Sequence, residues 1–74
     1  MNKTMILAIL EAYKAFNDKS LTIRFNKGEG KYVVNKAIID NIDGDNISIL
    51  FWTYNGVYGE TINFDDIIGI QFRK

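Results

Sequence analysis

Few side chains in this sequence suit catalysis or metal binding, and acidic residues are the main candidates. The 74-residue chain contains no His, Cys or Pro, so the usual nucleophile–base pairs and zinc ligands are missing. Asp40, Asp43 and Asp45 form the first acidic cluster. Their spacing does not match a calcium-binding EF-hand loop, which needs Gly at its sixth position and an acidic residue at its first. We interpret them as turn residues, because Asp stabilises turns locally.

A second acidic group, Glu60 with Asp65 and Asp66, has the residue types of a carboxylate pair for acid–base catalysis. Such a pair needs a cleft and matched pKa values, whereas an Asp-Asp sequence after a strand is typical of a polar turn. We therefore expect a protein that is not an enzyme, with no catalytic residue, no bound metal and no cofactor.

The aromatic residues are better candidates for a binding site. Trp52 and Tyr54 fall on one face of a predicted strand, and Tyr58 follows the next predicted turn. Trp and Tyr are enriched at the dominant positions of protein interfaces, and they also stack on bases. Alternatively, Trp52 is a core residue beneath an N-terminal helix, because aromatic burial stabilises a fold strongly. The predicted partner-binding residues are Tyr32, Trp52, Tyr54 and Tyr58.

Basic residues near the first two predicted strands form another candidate surface. With an aromatic residue among them, they have the composition of a nucleic-acid-binding surface. Alternatively, they protect edge strands from aggregation. The chain has nine basic and nine acidic residues, and this balance disfavours non-specific nucleic-acid binding, which usually needs a strongly basic protein. The candidate nucleic-acid-binding residues are Arg24, Lys27, Lys31 and Lys36.

The first segment of the chain predicts one helix, over residues 3–17, with Asn2 or Thr4 as its N-cap. Apolar side chains form a stripe at helical spacing, and further apolar residues widen it. A helix that is apolar around most of its circumference is normally covered on more than one side; alternatively, its alanines only supply helix propensity. The stripe is Ile6, Ile9, Leu10, Tyr13 and Phe16, and the widening residues are Met5, Ala8, Ala12 and Ala15.

Five strands are predicted after the helix, joined by short turns. Asp43-Gly44 and Asn55-Gly56 are the tight hairpin signals. The apolar pattern of the second strand changes parity twice, after Val34 and after Ile39, which indicates β-bulges or a sharp bend. The sequence thus predicts one domain over residues 1–74, an α+β and mainly β fold with a strongly bent antiparallel barrel. The predicted strands are residues 21–25, 31–42, 46–54, 58–64 and 67–72.

This order of elements resembles that of Sm-like barrels, including bacterial Hfq. Residues 37–43 and 46–50 are similar to the first Sm motif: Ala37 stands where Gly is usual, while Ile39 and Asp43 match. Residues 60–67 resemble the end of the YolD-like family of small bacterial and phage proteins. The resemblance implies an SH3-like or Sm-like barrel that self-associates through strand pairing at its edges.

The resemblance also bears on function. Hfq-type RNA binding uses a Lys-His pair near the last two strands, where this chain has Phe64-Asp65-Asp66-Ile67, an acidic stretch. The expected function is therefore a non-enzymatic module that binds another protein, such as a phage or mobile-element regulator or inhibitor. An RNA-binding Sm-like oligomer is the alternative. Self-association through the N-terminal helix and the barrel edge is also expected.

No membrane association is expected, because the longest apolar run is far too short to cross a bilayer. The expected location is the cytoplasm.

Overall fold

One helix precedes five antiparallel strands in the structure, a computed structural model that describes residues 2–13 and 20–72. This confirms the predicted fold class, α+β and mainly β. The predicted helix residues 14–17 lie outside the described residues. The elements are α1 (Lys3–Tyr13), β1 (Leu21–Lys27), β2 (Gly30–Asp43), β3 (Asn46–Thr53), β4 (Gly56–Asn63), the 3-10 turn η1 (Phe64–Asp66) and β5 (Ile67–Phe72).

Helix α1 begins at a side-chain cap. The Met5 backbone N–H donates to Asn2 Oδ1 at 2.8 Å, so the N-cap is Asn2, while Thr4 lies inside the helix. The cap satisfies one of the donors that a helix start leaves unpaired. Two members of the predicted stripe, Ile6 and Leu10, are buried at 0% and 5% exposure. Ile6 and Leu10 thus belong to the face that α1 turns to the core, as the stripe predicts for these two positions.

The other side of α1 is exposed in the structure. Met5 is 54% and Leu7 37% exposed, and Ala8 and Ala12 are exposed as well. Within the described residues, then, the widened apolar face is not covered. The side chains of Tyr13, Ala15 and Phe16 lie outside the described part of the chain.

The strands form one antiparallel sheet in the order β4-β3-β2-β1-β5. β2 is 14 residues long, and it pairs first with β1 and then with β3. The two-residue loops Gly28-Glu29, Gly44-Asp45 and Tyr54-Asn55 connect the first four strands. Because the sheet order ends at β4 and β5, these are its edge strands.

Two β-bulges bend β2 where the apolar pattern changes parity. Between the Ile23–Val34 and Leu21–Ala37 pairs, β2 has one more residue than β1, and Lys36 there has a φ of 61°. The second bulge lies between the pairs of Ile39 and Asn41 with β3. An extra residue sharpens the local bend and moves the following side chains to the other face. The predicted bulges are confirmed.

The core lies between the bent sheet and α1. Phe64 and Ile67, on either side of the turn into β5, are each 1% exposed. No polar or charged side chain is buried among the described residues. The buried core residues are Ile6, Leu10, Leu21, Ile23, Phe25, Ala37, Ile47, Ile49, Ile62, Phe64 and Ile67.

Candidate functional site

The register of the β3–β4 hairpin decides which face each predicted aromatic residue occupies. Its eight Cα pairs follow one another without a register shift, so side chains alternate between the two faces. Phe51 pairs with Tyr58, and Trp52 pairs with Val57. Ile49, two residues before Phe51, is fully buried. Phe51 and Tyr58 therefore lie on the inner face, and Trp52 and Val57 on the outer face.

Three apolar or aromatic side chains are exposed at the end of this hairpin. Trp52 is 57%, Tyr54 98% and Val57 55% exposed; we call these three residues the tip surface. The turn is stabilised by the Asn55 backbone N–H, which donates to Thr53 Oγ1 at 3.1 Å. The alternative that Trp52 is a core residue beneath α1 is wrong, because the register places its indole on the outer face.

Tyr32 and Tyr58 belong to the inner face instead. Tyr32 stacks on its cross-strand partner Phe25, with ring centroids 5.8 Å apart and planes 23° apart. Tyr58 stacks on Phe51 in the same way, at 6.1 Å and 25°. Tyr32 remains 49% and Tyr58 46% exposed. The four predicted partner-binding residues thus form two groups, one on the tip surface and one on the inner face.

A cleft opens on the inner face beside these rings. We call it the aromatic cleft; it surrounds a cavity of about 290 Å³. Its walls are Phe25, Tyr32, Val34, Phe51 and Glu60, and Lys27 and Val33 also border the cavity. The ring of Tyr32 lies over Gly30, where a Cβ would approach its Cε2 to 3.0 Å. The absence of a side chain at Gly30 therefore leaves room for the wall that Tyr32 forms.

An ion pair borders the cleft and joins two strands that are not neighbours in the sheet. Lys27 Nζ, at the end of β1, donates to Glu60 Oε1, on β4, at 2.6 Å. This hydrogen bond, together with the charge of Glu60, raises the pKa of Lys27 above its ordinary value. The Glu60 side chain is 22% and the Lys27 side chain 59% exposed, so the carboxylate is the more shielded partner.

The four candidate nucleic-acid-binding residues do not share one face. Because side chains alternate along β1 and β2, Arg24 and Lys31 lie on the outer face and Lys27 lies on the inner face. The guanidinium of Arg24 lies against Gly69, where a Cβ would come within 2.7 Å of its Nη2. Lys36 occupies the first bulge of β2.

The acidic residues make contacts of the kind expected at turns. Asp45 Oδ1 lies 3.5 Å from Lys3 Nζ, and the Asp45 carbonyl accepts the Phe64 N–H at 2.9 Å. Asn63 Oδ1 caps η1 by accepting the Asp65 N–H at 2.8 Å. Within residues 2–13 and 20–72, no group of three or more acidic side chains is placed to hold a metal ion.

Sequence reasoning missed Val57, Phe25, Phe51 and Glu60 as parts of these surfaces. Asn55-Gly56 locates the hairpin correctly, but the loop is Tyr54-Asn55 and Gly56 begins β4 with a φ of 127°. This register places Val57 beside Trp52. The alternation of apolar residues predicts that Phe25 and Phe51 face inward. It does not show whether an inward side chain is fully covered in the core or lines an open cleft, as these two do.

Comparison with family profiles, with curated proteins and with solved structures finds no significant match to this chain. The described helix, α1, is too short to cross a membrane.

Proposed function

We propose that this chain is a non-enzymatic interaction module that binds another protein through the tip surface, and so acts as a regulator or inhibitor. The observation that carries the proposal is the exposure of the cross-strand pair Trp52 and Val57, together with that of Tyr54 in the loop of the same hairpin. None of the three side chains carries a charge. Exposed aromatic residues at the end of a rigid hairpin lose little conformational freedom on binding, which favours their use as anchors.

The order of elements supports a barrel of the Sm-like or SH3-like type as the scaffold. A helix precedes five strands whose sheet order is β4-β3-β2-β1-β5. Such a scaffold fixes the β3–β4 hairpin at one edge of the sheet, where a partner has access to it. The edge strands β4 and β5 also offer backbone groups for self-association. Light scattering on the purified chain tests that route, and a monomer at all concentrations contradicts it.

RNA binding by an Sm-like oligomer is the alternative, and the charges disfavour it. Lys27 is paired with Glu60 at 2.6 Å, and Arg24 and Lys31 lie on the other face of their hairpin. The formal net charge is zero. Filter binding with short RNAs in a salt series tests this alternative, because phosphate contacts make affinity fall steeply with salt.

Photo-crosslinking from the tip surface tests the protein-binding proposal. A photoreactive phenylalanine analogue replaces Tyr54, which is 98% exposed, in the cells that make the protein. The same analogue at Asp40, an exposed position on β2, is the matched control. We expect a discrete protein adduct from position 54 and none from position 40.

A second variant makes the result specific to this surface. Trp52→Ala in the Tyr54-substituted chain should reduce the adduct by about tenfold or more, as expected for loss of a central aromatic anchor. Recovery of nucleic acid alone, or adducts that do not depend on Trp52, contradicts the proposal.

A further inference from the structure

The aromatic cleft has walls that are already ordered. Phe25 supports the ring of Tyr32, and Tyr58 supports the ring of Phe51, each as a stacked pair. Offset-stacked rings of this kind are mutually stabilising. The cavity of about 290 Å³ is bordered mainly by apolar side chains. Since a dry apolar cavity of about 150 Å³ already holds benzene, the cleft has room for an aromatic or large aliphatic side chain.

A second, polar cavity of about 140 Å³ adjoins the first. The two cavities share Phe25, Lys27 and Glu60, so the Lys27–Glu60 ion pair lies at their common border. Asn26, Gly28, Thr61, Ile62, Asn63 and Asp66 complete the lining of the polar cavity. An apolar pocket therefore lies beside a hydrogen-bonding one.

The charges around the polar cavity are unequal. Its lining residues include two acidic residues, Glu60 and Asp66, and one basic residue, Lys27, which leaves one negative charge in excess. A ligand cation gains attraction from this imbalance, whereas a phosphate or carboxylate is repelled. The occupant of the polar cavity should therefore carry a positive charge.

We propose that the aromatic cleft binds a peptide segment of a protein partner in which a large apolar residue is adjacent to Arg or Lys. The apolar side chain fills the cavity between Phe25, Tyr32 and Phe51, and the basic side chain reaches Glu60 and Asp66 across the ion pair. This inference rests on the proposed function, since it supplies the chemistry of a protein partner. It concerns the inner face, however, and not the tip surface.

Amide NMR titrations of the purified chain with blocked dipeptides test the proposal. The probes are N-acetyl-Phe-Arg-amide, its Phe-Glu counterpart, which reverses the charge, and its Gly-Arg counterpart, which lacks the apolar group. We expect Phe-Arg to shift the amides of Phe25, Tyr32, Phe51 and Glu60. Phe-Glu should bind at least about threefold more weakly, as one partly exposed charge contact predicts, and Gly-Arg should bind more weakly still.

Matched variants assign the binding to the cleft. Tyr32→Ala removes one wall and should abolish binding of Phe-Arg, while Asp66→Asn should reduce the preference for Arg over Glu. Trp52→Ala, on the other face, should leave the titrations with all three dipeptides unchanged. The wild-type amide spectrum, retained outside the altered site, shows that each variant is folded.

The two proposals fail separately. If none of the dipeptides binds up to millimolar concentrations, or if Phe-Glu binds as tightly as Phe-Arg, the cleft proposal is overturned while the crosslinking result at the tip surface stands. Shifts confined to Trp52 and Tyr54 overturn it as well. If no adduct that depends on Trp52 forms, while the dipeptides still bind, only the tip-surface proposal is overturned.

Discussion

Apolar side chains have opposite surroundings on the helix side of the barrel and on the tip surface. On the helix side, Ile6 of α1 is 0% and Phe64 of η1 is 1% exposed. On the tip surface, Trp52 is 57% and Val57 55% exposed. The residue types are similar, so composition does not distinguish them. The difference is that other elements of the chain cover the first region, while no described residue covers the second.

This contrast separates residues that stabilise the fold from residues that are available for recognition. Free energy from apolar burial scales with the area removed from water, so Ile6, at 0% exposure, contributes its full side chain to folding, while Trp52, at 57%, leaves more than half of its surface in water. A 74-residue domain has a thin stability margin. Leaving Trp52, Tyr54 and Val57 largely exposed therefore forgoes stabilisation that a domain of this size would gain by burying them.

The largest loss of unfolding free energy that tests this contrast is expected from shortening a buried side chain on the helix side. Ile6→Ala removes a fully buried side chain, and such substitutions cost about 2–5 kcal/mol. Trp52→Ala removes a larger but mostly exposed side chain and should cost less than about 1 kcal/mol, as exposed substitutions usually do. Urea unfolding followed by far-UV circular dichroism measures both.

Circular dichroism is the appropriate signal because the chain has one Trp, Trp52, which the control variant removes. Equal losses of unfolding free energy in the two variants would show that the tip surface is part of the folding core. The contrast would then be wrong. Leu10→Ala, at 5% exposure, should repeat the loss seen with Ile6→Ala.

The first bulge of β2 allows both Val34 and Ala37 to face inward, and substitutions at Lys36 test it. At a φ of 61°, a β-branched side chain is strongly disfavoured, so Lys36→Val should cost about 1–2 kcal/mol. Lys36→Gly should be tolerated, because Gly adopts positive φ without strain. Lys31→Val, on an exposed position of the same strand, is the matched control, with little change expected. A harmless Lys36→Val would mean that the bulge is not fixed at this residue.

This bend is also where the sequence was most informative. Val34 and Ala37 cannot both face inward in a regular strand, so their apolar character required an extra residue between them. The last predicted strand, Ile67–Phe72, has the observed bounds. The first strand was predicted too short, because Asn26 and Lys27 look like loop residues but pair with β2. The third and fourth strands were each predicted one residue too long at the C-terminal end, and the fourth also begins two residues earlier than predicted, at Gly56.

The candidate site was predictable only in part, for physical reasons. Trp52 and Tyr58 lie on one hairpin, as the Asn55-Gly56 signal indicated. A shift of the loop by one residue changes which face of the sheet each side chain occupies. The pairing of Lys27 with Glu60 joins positions 33 residues apart. Such a contact depends on how the bent sheet brings β4 near β1, which is not its neighbour, and local patterns do not encode this.

A smaller loss is expected at the start of α1, where Asn2 caps the helix. Asn2→Ala removes the acceptor of the Met5 N–H and should cost about 1 kcal/mol. Asn2→Asp keeps the acceptor and should be close to wild type. Because the cap supports the helix side alone, the chemical shifts of Trp52 and Val57 should not change. Shifts spreading to the tip surface would show that the two regions are coupled.

The smallest effect is expected from the Lys27–Glu60 pair, which should stabilise the fold at neutral pH and stop doing so in alkaline solution. The hydrogen bond to Glu60 raises the pKa of Lys27 above its ordinary value of 10.5. The folded state therefore binds this proton more tightly than the unfolded state does. The resulting stabilisation is complete below the unfolded pKa and is lost as the pH rises through the folded pKa.

Comparison of the wild type with Lys27→Met isolates this contribution from the titration of other Lys and Tyr side chains. The difference in urea midpoint between the two proteins should be constant from neutral pH to about pH 9 and should shrink above about pH 10, as the linkage relation requires. Salt should also reduce it, because the Lys27 side chain is 59% exposed. A difference that grows with pH would have the wrong sign for a lysine stabilised in its charged form. It would indicate that desolvation of the Lys27 ammonium group outweighs its attraction to Glu60, and that the ion pair contributes nothing to holding β1 and β4 together.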